Sequence, residues 1–361
     1  MKICYTFNAA YKYSNGGAET WGREFGRELA SRGHEVVLST RYFEEDQPEV
    51  QEEEGVKIIS YGPRPSEDWN PLQIRKDFMQ KIWRENADVY WNACYTHLTG
   101  LTALVAKARR SKFIYSAANN HEVDPEWRKK LSLNRRISGQ IGMRLADKHV
   151  SYSRKMHEKA KKQFPGPDEK FEWFYHGHPV PEVDLEEDKE KIVLWLASFE
   201  REWKKPELFL DIAEKVEAED WRFCLAGTGP EEKMEKLRER ASEIENAEIL
   251  GFVEDDTEWY RKASIFVSTS DKNKEGFPNA FIQSVVAGTP VASRHNNPDN
   301  LLTEKGLGTQ NSGTDELAEW IQQKINNDSE LKALQKKVRK FGEEKFDIKN
   351  AVDSYQNIFG D

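Results

Sequence analysis

The sequence is short of several things, and each shortage excludes a class of protein. Cysteine is scarce: Cys4, Cys94 and Cys224 are odd in number, far apart and each set in an apolar run. They form no CxxC pair and no Cys/His cluster suited to zinc, and they read as small core residues of a reducing compartment. No run of about 18 apolar residues occurs, so nothing in the sequence reads as a membrane span. Residues 1–7 follow a short strand pattern without a signal peptide's long apolar stretch, which sets the expectation of a cytoplasmic protein. Positive charge is in deficit, with a formal net charge of −9. A surface that is acidic on average argues against nucleic acid as a partner. There is no Asp-x-Asp pair of the kind that holds a metal–diphosphate complex, and no Walker A loop or dinucleotide fingerprint.

What is present is a packed-core composition, 37% hydrophobic with 11 Trp, 18 Phe and 12 Tyr in 361 residues, a length that suits two α/β domains. Short apolar runs at 2–7, 35–40, 56–61, 88–93, 112–117 and 149–153 read as strands. So do 191–197, 221–226, 247–252, 265–269 and 290–293. Amphipathic stretches alternate with them. In residues 18–31, Trp21, Phe25 and Leu29 recur at four-residue spacing on one helical face. Strand, helix, strand in repetition predicts parallel sheets covered on both faces. Residues 177–191 carry two prolines and then a charge run without periodicity, and read as a solvated linker. The expected architecture is α/β, with two Rossmann-like doubly wound domains facing across a cleft. They are placed at 1–183 and 184–345, with a final helix in 346–361 crossing back to the first. Such sheets bind ligands beyond the carboxyl ends of their strands.

Two motifs sit at such ends. Asn15-Gly16-Gly17-Ala18-Glu19 follows the first strand and opens a helix. Its glycines permit close backbone approach, and the helix start offers unpaired N–H groups to a phosphate. A tight strand-to-helix turn explains the same residues without a ligand. The second motif is richer. A strand ends at Thr269-Ser270, a polar loop turns at Glu275-Gly276, Pro278 falls in the first turn of a helix, and Gly288-Thr289-Pro290 closes it. Backbone groups of Gly276, Phe277, Pro278 and Asn279 would line a diphosphate site, the N–H donors coming from the residues other than Pro278, and Glu275 would accept from sugar hydroxyls. Gln283, one turn past Asn279, would reach the same place.

This second motif resembles the donor-binding signature of glycosyltransferase family 4, in which two glutamates have seven residues between them; here the order is Glu275, seven residues, then Gln283. The resemblance extends along the chain. Asn15–Glu19 with Gly33-His34-Glu35-Val36 resembles the family's opening, and Ala226-Gly227-Thr228-Gly229-Pro230 its turn in the second domain. Ile249-Leu250-Gly251-Phe252-Val253 resembles its nucleotide-base loop, and Trp203-Lys204-Lys205-Pro206 its diphosphate-lysine turn. The resemblance implies a GT-B fold and a retaining, metal-independent glycosyltransferase with no cofactor. It would move a sugar from a UDP- or GDP-sugar to a glycan or lipid-linked acceptor. Catalytic roles are implied for Glu275, Lys204 and His121. Donor contacts are implied for Gly16, Gly17, Ser198, Lys205, Gly227, Gly229, Phe252, Gly276, Phe277, Pro278, Asn279 and Gln283. Two positions depart from the family. Ser198 stands where an arginine is usual, leaving Lys205, Lys272 or Lys274 to supply charge, and Gln283 replaces the second glutamate. His121 lies two or three residues beyond the family's cleft histidine, whose place Ala118 or Asn119 then takes. His34, His149 and His176 read as structural.

Residues 125–162, from Pro125 to Lys162, hold twelve Lys and Arg against three acids, a local +9 in a chain of −9. Trp127, Leu131, Leu133, Ile137, Ile141, Met143 and Leu145 interleave. A basic amphipathic helix of this kind would lie on an anionic membrane, giving a peripheral protein at the inner membrane face; an ordinary solvated helix is the plainer alternative. Two other functions fit the same fold: a non-catalytic nucleotide-sugar-binding subunit, for which Ser198 and Gln283 speak, and a sugar-nucleotide epimerase, which needs acid–base carboxylates that no motif supplies.

Overall fold

Runs that are apolar along their whole length need cover on both faces, and parallel sheets between helices provide it. The computed structural model describes residues 1–6, 17–187 and 189–360, and divides the chain into two compact units, Met1–His176 with Ile348–Asp361, and Gly177–Asp347.

The first unit holds β1 (Lys2–Thr6), β2 (Glu35–Arg41), β3 (Val50–Glu53), β4 (Val56–Tyr61), β5 (Val89–Ala93), β6 (Lys112–Ala117), β7 (Lys148–Ser151) and β8 (Phe171–Trp173). Their order is β3-β4-β2-β1-β5-β6-β7-β8, and only β3–β4 is antiparallel. Alternate strand residues feed two cores. Cys4, Tyr90, Phe113 and Tyr115 enter one; Ile3, Tyr5, Val89, Trp91 and Ile114 enter the other. On the second face lies the helix Gly17–Ser31, with Trp21, Phe25 and Leu29 buried as their spacing requires. The last helix, Ile348–Gly360, packs there too: the Phe25 and Tyr355 rings are 5.0 Å apart, and the Tyr355 hydroxyl lies 2.7 Å from the Ser116 hydroxyl.

The second unit holds β9 (Ile192–Leu196), β10 (Arg222–Ala226), β11 (Ala247–Gly251), β12 (Ile265–Ser268), β13 (Val291–Ser293) and β14 (Gly308–Gln310). Their order is β11-β10-β9-β12-β13-β14, parallel throughout. The chain winds outward from β9 to β11, then restarts at β12 and winds the other way. The switch point therefore lies between β9 and β12, where an open parallel sheet presents a crevice to ligands.

The units part at His176/Gly177 rather than at 183/184, because the segment after Gly177 is tied into the second unit. The His178 N–H donates to the Phe346 carbonyl at 2.9 Å, Arg339 donates to the Pro181 carbonyl at 2.8 Å, and Glu186 pairs with Lys336 at 2.7 Å. The charge run is not wholly solvated either. The Lys189 ammonium donates to the Ala263 carbonyl at 2.9 Å and to the Thr289 hydroxyl at 2.6 Å.

The basic segment is not one amphipathic helix. It breaks into the helices Pro125–Lys129, Leu133–Leu145 and Arg154–Gln163 with β7 between the last two, and His149 and Val150 of β7 are buried. Several of its cations are spoken for: Lys129 pairs with Glu126, Lys148 with Glu172, and Lys161 with Asp168. Among the described residues, no helix is long and apolar enough to cross a membrane.

Candidate functional site

At the β9–β12 switch point two loops meet. After β9 the chain makes a short turn, Glu202–Lys204, and leaves it through Lys205 in the left-handed region at φ 52°. This turn is pinned from β12. The Thr269 hydroxyl lies 2.7 Å from the Lys204 carbonyl and 2.8 Å from that of Lys205, while the buried Trp195 indole donates to Thr269 Oγ1 at 2.8 Å. The Asp271 N–H donates to the Trp203 carbonyl at 2.7 Å. Lys204 is thereby aimed at Glu275 on the loop after β12, and the two form an ion pair with side chains 21% and 10% exposed. Ser270 Oγ donates to Glu275 Oε1 at 3.1 Å, and Asn296 Nδ2 to Oε2 at 3.0 Å. Three loops thus converge on one carboxylate. Lys204, Ser270, Glu275, Pro278 and Asn296 line a common pocket whose wall is Trp195, Phe266, Phe281 and Val291.

The helix after this loop runs Asn279–Val286, so Pro278 is the residue that caps it rather than one inside its first turn. The Pro278 carbonyl already accepts from Phe281 at 3.1 Å, and Gly276 and Phe277 precede the helix. Phe277 is 4% exposed and packs on Phe281 and Phe346, so its side chain anchors the loop and only its backbone is available to a ligand. Gln283 does not join the Glu275 cluster by any bond described; its amide donates to the Asp256 carboxylate at 2.9 Å. Arg294, which follows β13, is bonded to Asp271 at 3.0 Å.

The glycines of the β10 turn answer to packing. Gly227, at φ 141°, would place a Cβ 1.9 Å from the Ala197 carbonyl oxygen, so the backbones after β9 and β10 touch. The Gly227 N–H also donates to the Gly251 carbonyl at 2.7 Å, and Gly229 packs on Phe199. Ser198, in the loop after β9, is exposed, its hydroxyl accepting from the Glu200 N–H at 3.3 Å. Phe252, one residue past β11, is 58% exposed, a large apolar ring with an open face at a carboxyl-end position.

In the first unit, Gly16 lies outside the described residues, and Gly17 is the exposed first residue of its helix. His121 follows β6 and stacks obliquely on Trp127, with ring centroids 4.3 Å apart; burial, then the Arg135 charge, lowers its pKa. Its neighbour Glu122, unnoticed in the sequence, is the more constrained group. It is 2% exposed and accepts from Tyr115 Oη at 2.7 Å, Tyr95 N at 3.2 Å, Ala118 N at 3.3 Å and Asn119 Nδ2 at 3.3 Å. Burial raises its pKa against those four donors. A carboxylate so enclosed positions the loops after β5 and β6.

Residues 15–180 match the family model described as Glycosyltransferase Family 4, and residues 190–327 the model described as Glycosyl transferases group 1. The chain belongs to these glycosyltransferases. Solved relatives share the GT-B fold across their whole length. HepE of Anabaena, in complex with UDP and glucose, is 15% identical with a TM-score of 0.75, covering 100% of this chain and 99% of its own. Sucrose-phosphate synthase of Thermosynechococcus elongatus is 15% identical with a TM-score of 0.78, covering 99% and 98%. TarM of S. aureus, in a complex that includes UDP, is 11% identical with a TM-score of 0.77, covering 100% of both chains. No curated protein matches the sequence. In this glycosyltransferase, Lys204 and Glu275 were legible from the sequence, whereas Ser270 and Asn296 were not. Ser270 lies on the loop that carries Glu275 and Asn296 on the loop after β13, and no spacing rule links either to the carboxylate.

Proposed function

We propose that this glycosyltransferase transfers a sugar from a nucleoside-diphosphate sugar, with retention of configuration and without a metal or other cofactor, to a glycan or lipid-linked acceptor. The observation that carries the reading is the Lys204–Glu275 pair at the β9–β12 switch point, beside the start of the helix Asn279–Val286. UDP bound in HepE and TarM favours a UDP-sugar over a GDP-sugar. In this account the diphosphate draws the Lys204 ammonium from Glu275, which frees the carboxylate to accept from hydroxyls of the transferred sugar. Asn296 and Ser270 hold that carboxylate in place as the exchange occurs. Lys204 and the N–H groups at the helix start then stabilise the charge that gathers on the leaving diphosphate. The leaving phosphate accepts the acceptor's proton on the face it departs from. His121 lines the acceptor side in the first unit, and the exposed Phe252 stacks on the base.

Leu133 and Ile137, 67% and 47% exposed one helical turn apart among the basic residues, support a peripheral place on an anionic membrane, at its cytoplasmic face. The bonded state of Gln283 and the missing cation at Ser198 support one competing reading, a subunit that binds donor without turnover. Thermal-shift screening of nucleotide sugars followed by a nucleotide-release assay, with and without chelator, separates the two. A donor that stabilises the protein and is turned over in excess chelator supports the proposal. Stabilisation without release supports the subunit, and activity that magnesium or manganese restores after chelation refutes the metal-free mechanism.

A further inference from the structure

A second pocket, of about 320 Å³, opens on the first unit between the helices Leu133–Leu145 and Arg154–Gln163, bordered by Pro125–Lys129. Its position follows from helix packing. A Cβ on Gly139 would lie 1.9 Å from the Tyr95 ring, so that face of Leu133–Leu145 is fixed against Tyr95. Arg136, Gln140 and Arg144 then fall at four-residue spacing on the adjoining flank and line the pocket. Arg128 completes it from the neighbouring helix. The floor is apolar: Met143 is 2% exposed and Phe164 is 7% exposed.

Among the described residues, no carboxylate lines this pocket. Arg136 and Arg144 have neither an acidic nor a hydrogen-bonding side-chain partner among the described residues. Arg128 lies over the Phe164 ring at 4.6 Å and reaches Gln163 at 3.3 Å, yet its Nε–H is buried without an acceptor among the described residues. Burial also lowers the Arg128 pKa, an electrostatic cost that a bound anion would relieve. Lys129, at the rim, is engaged by Glu126 at 2.6 Å. Three guanidinium groups with one orphaned donor suit an anion with several oxygens. A carboxylate satisfies one such fork, while a phosphate ester can meet two or three. The volume exceeds that of phosphate alone and is within the range of small-molecule pockets, roughly 300–1,000 Å³.

We infer that this pocket binds the phosphate of a phosphate ester, with the apolar part of the ester lying on Met143 and Phe164. Assigning that ester to the acceptor rests on the proposed function; the binding itself does not. The source is either a soluble phosphorylated molecule or a lipid headgroup, and two probes distinguish them. Hexyl phosphate is titrated calorimetrically into the full chain, with hexanol as the uncharged control. Vesicles of phosphatidylcholine with phosphatidic acid are tested by co-sedimentation. Arg136→Gln/Arg144→Gln is the test variant, since neither side chain has a hydrogen bond or ion pair among the described residues, and its unfolding midpoint is measured alongside to show that it folds. Lys159→Gln/Lys162→Gln, on exposed positions of the next helix, removes equal charge elsewhere. The pocket variant is expected to bind at least tenfold more weakly than wild type to whichever probe binds, with the control variant unchanged and hexanol not bound. Hexyl phosphate binding identifies a soluble ester, and vesicle binding alone a lipid headgroup. Equal loss in both variants, or no binding of either probe, overturns the inference. Nucleotide release measured on the same samples is independent of that result, so the pocket can fail while the donor reading stands.

Discussion

The Gln283 amide donates to the Asp256 carboxylate at 2.9 Å, across the gap between two helices of the second unit. A glutamate at 283, the family's usual residue, would face a like charge at that distance. Gln283→Glu is therefore expected to lower stability at pH 7.5 by on the order of 1 kcal/mol. Repulsion raises the folded-state pKa of the new carboxyl above its unfolded value. The folded state then binds the extra proton more tightly, and the lost stability returns as pH falls towards 5. Urea denaturation of both proteins at the two pH values measures this. A variant equally stable at both shows that Asp256 and position 283 do not interact.

Glu122 is held by four donors, Tyr115 Oη of β6 and three groups from the loops after β5 and β6. Glu122→Ala leaves them unsatisfied and should cost about 2–4 kcal/mol. Burial raises the folded pKa of Glu122 above 4.5. Its contribution is thus greatest at low pH and declines as pH rises above the ordinary carboxylate range. Glu122→Gln keeps an acceptor but has no proton to lose, so it should fold and show a flatter pH profile. Calorimetric unfolding across pH 4–8 checks the slope; a profile identical to wild type would mean that Glu122 titrates normally.

His149 gives the opposite slope. It is buried among Tyr115, Phe164 and Phe171, with Nε2 2.9 Å from the Met143 carbonyl. Desolvation lowers its pKa from 6.5 to about 3. The unfolded state therefore binds the proton first as pH falls through 6.5, and stability drops by up to about 1.4 kcal/mol per pH unit from there towards 3. His149→Gln retains a donor for Met143 and removes the titration. Denaturation midpoints between pH 7 and 5 should fall for wild type and less for the variant; parallel declines would assign the acid sensitivity to other groups.

Strands buried on both faces announce themselves as unbroken apolar runs, which is why the inner strands of both sheets were legible. The edges were not. Val50–Glu53 is acidic and pairs antiparallel with β4 through Glu54 and Gly55, both at positive φ, a tight turn without the Asn-Gly or Asp-Gly signal that usually marks one. Phe171–Trp173 and Gly308–Gln310 are three residues each, too short to show a period. In the site, Glu275 and Lys204 stand in local motifs at the ends of β12 and β9. Asn296 and Asp256 come from other parts of the second unit, and only folding reveals their bonds to Glu275 and Gln283.

The central claim is that Glu275 meets the sugar that reacts while Gln283 does not. Steady-state kinetics of Glu275→Ala and Gln283→Ala, with the nucleotide sugar that wild type turns over, test it directly. Interactions at the reacting centre appear in the barrier, and remote ones mainly in KM. Glu275→Ala should lower kcat by roughly 10²–10³, whereas Gln283→Ala should raise KM a few-fold with kcat nearly kept. Equal losses in kcat from the two variants, or an unchanged kcat in Glu275→Ala, would contradict the account.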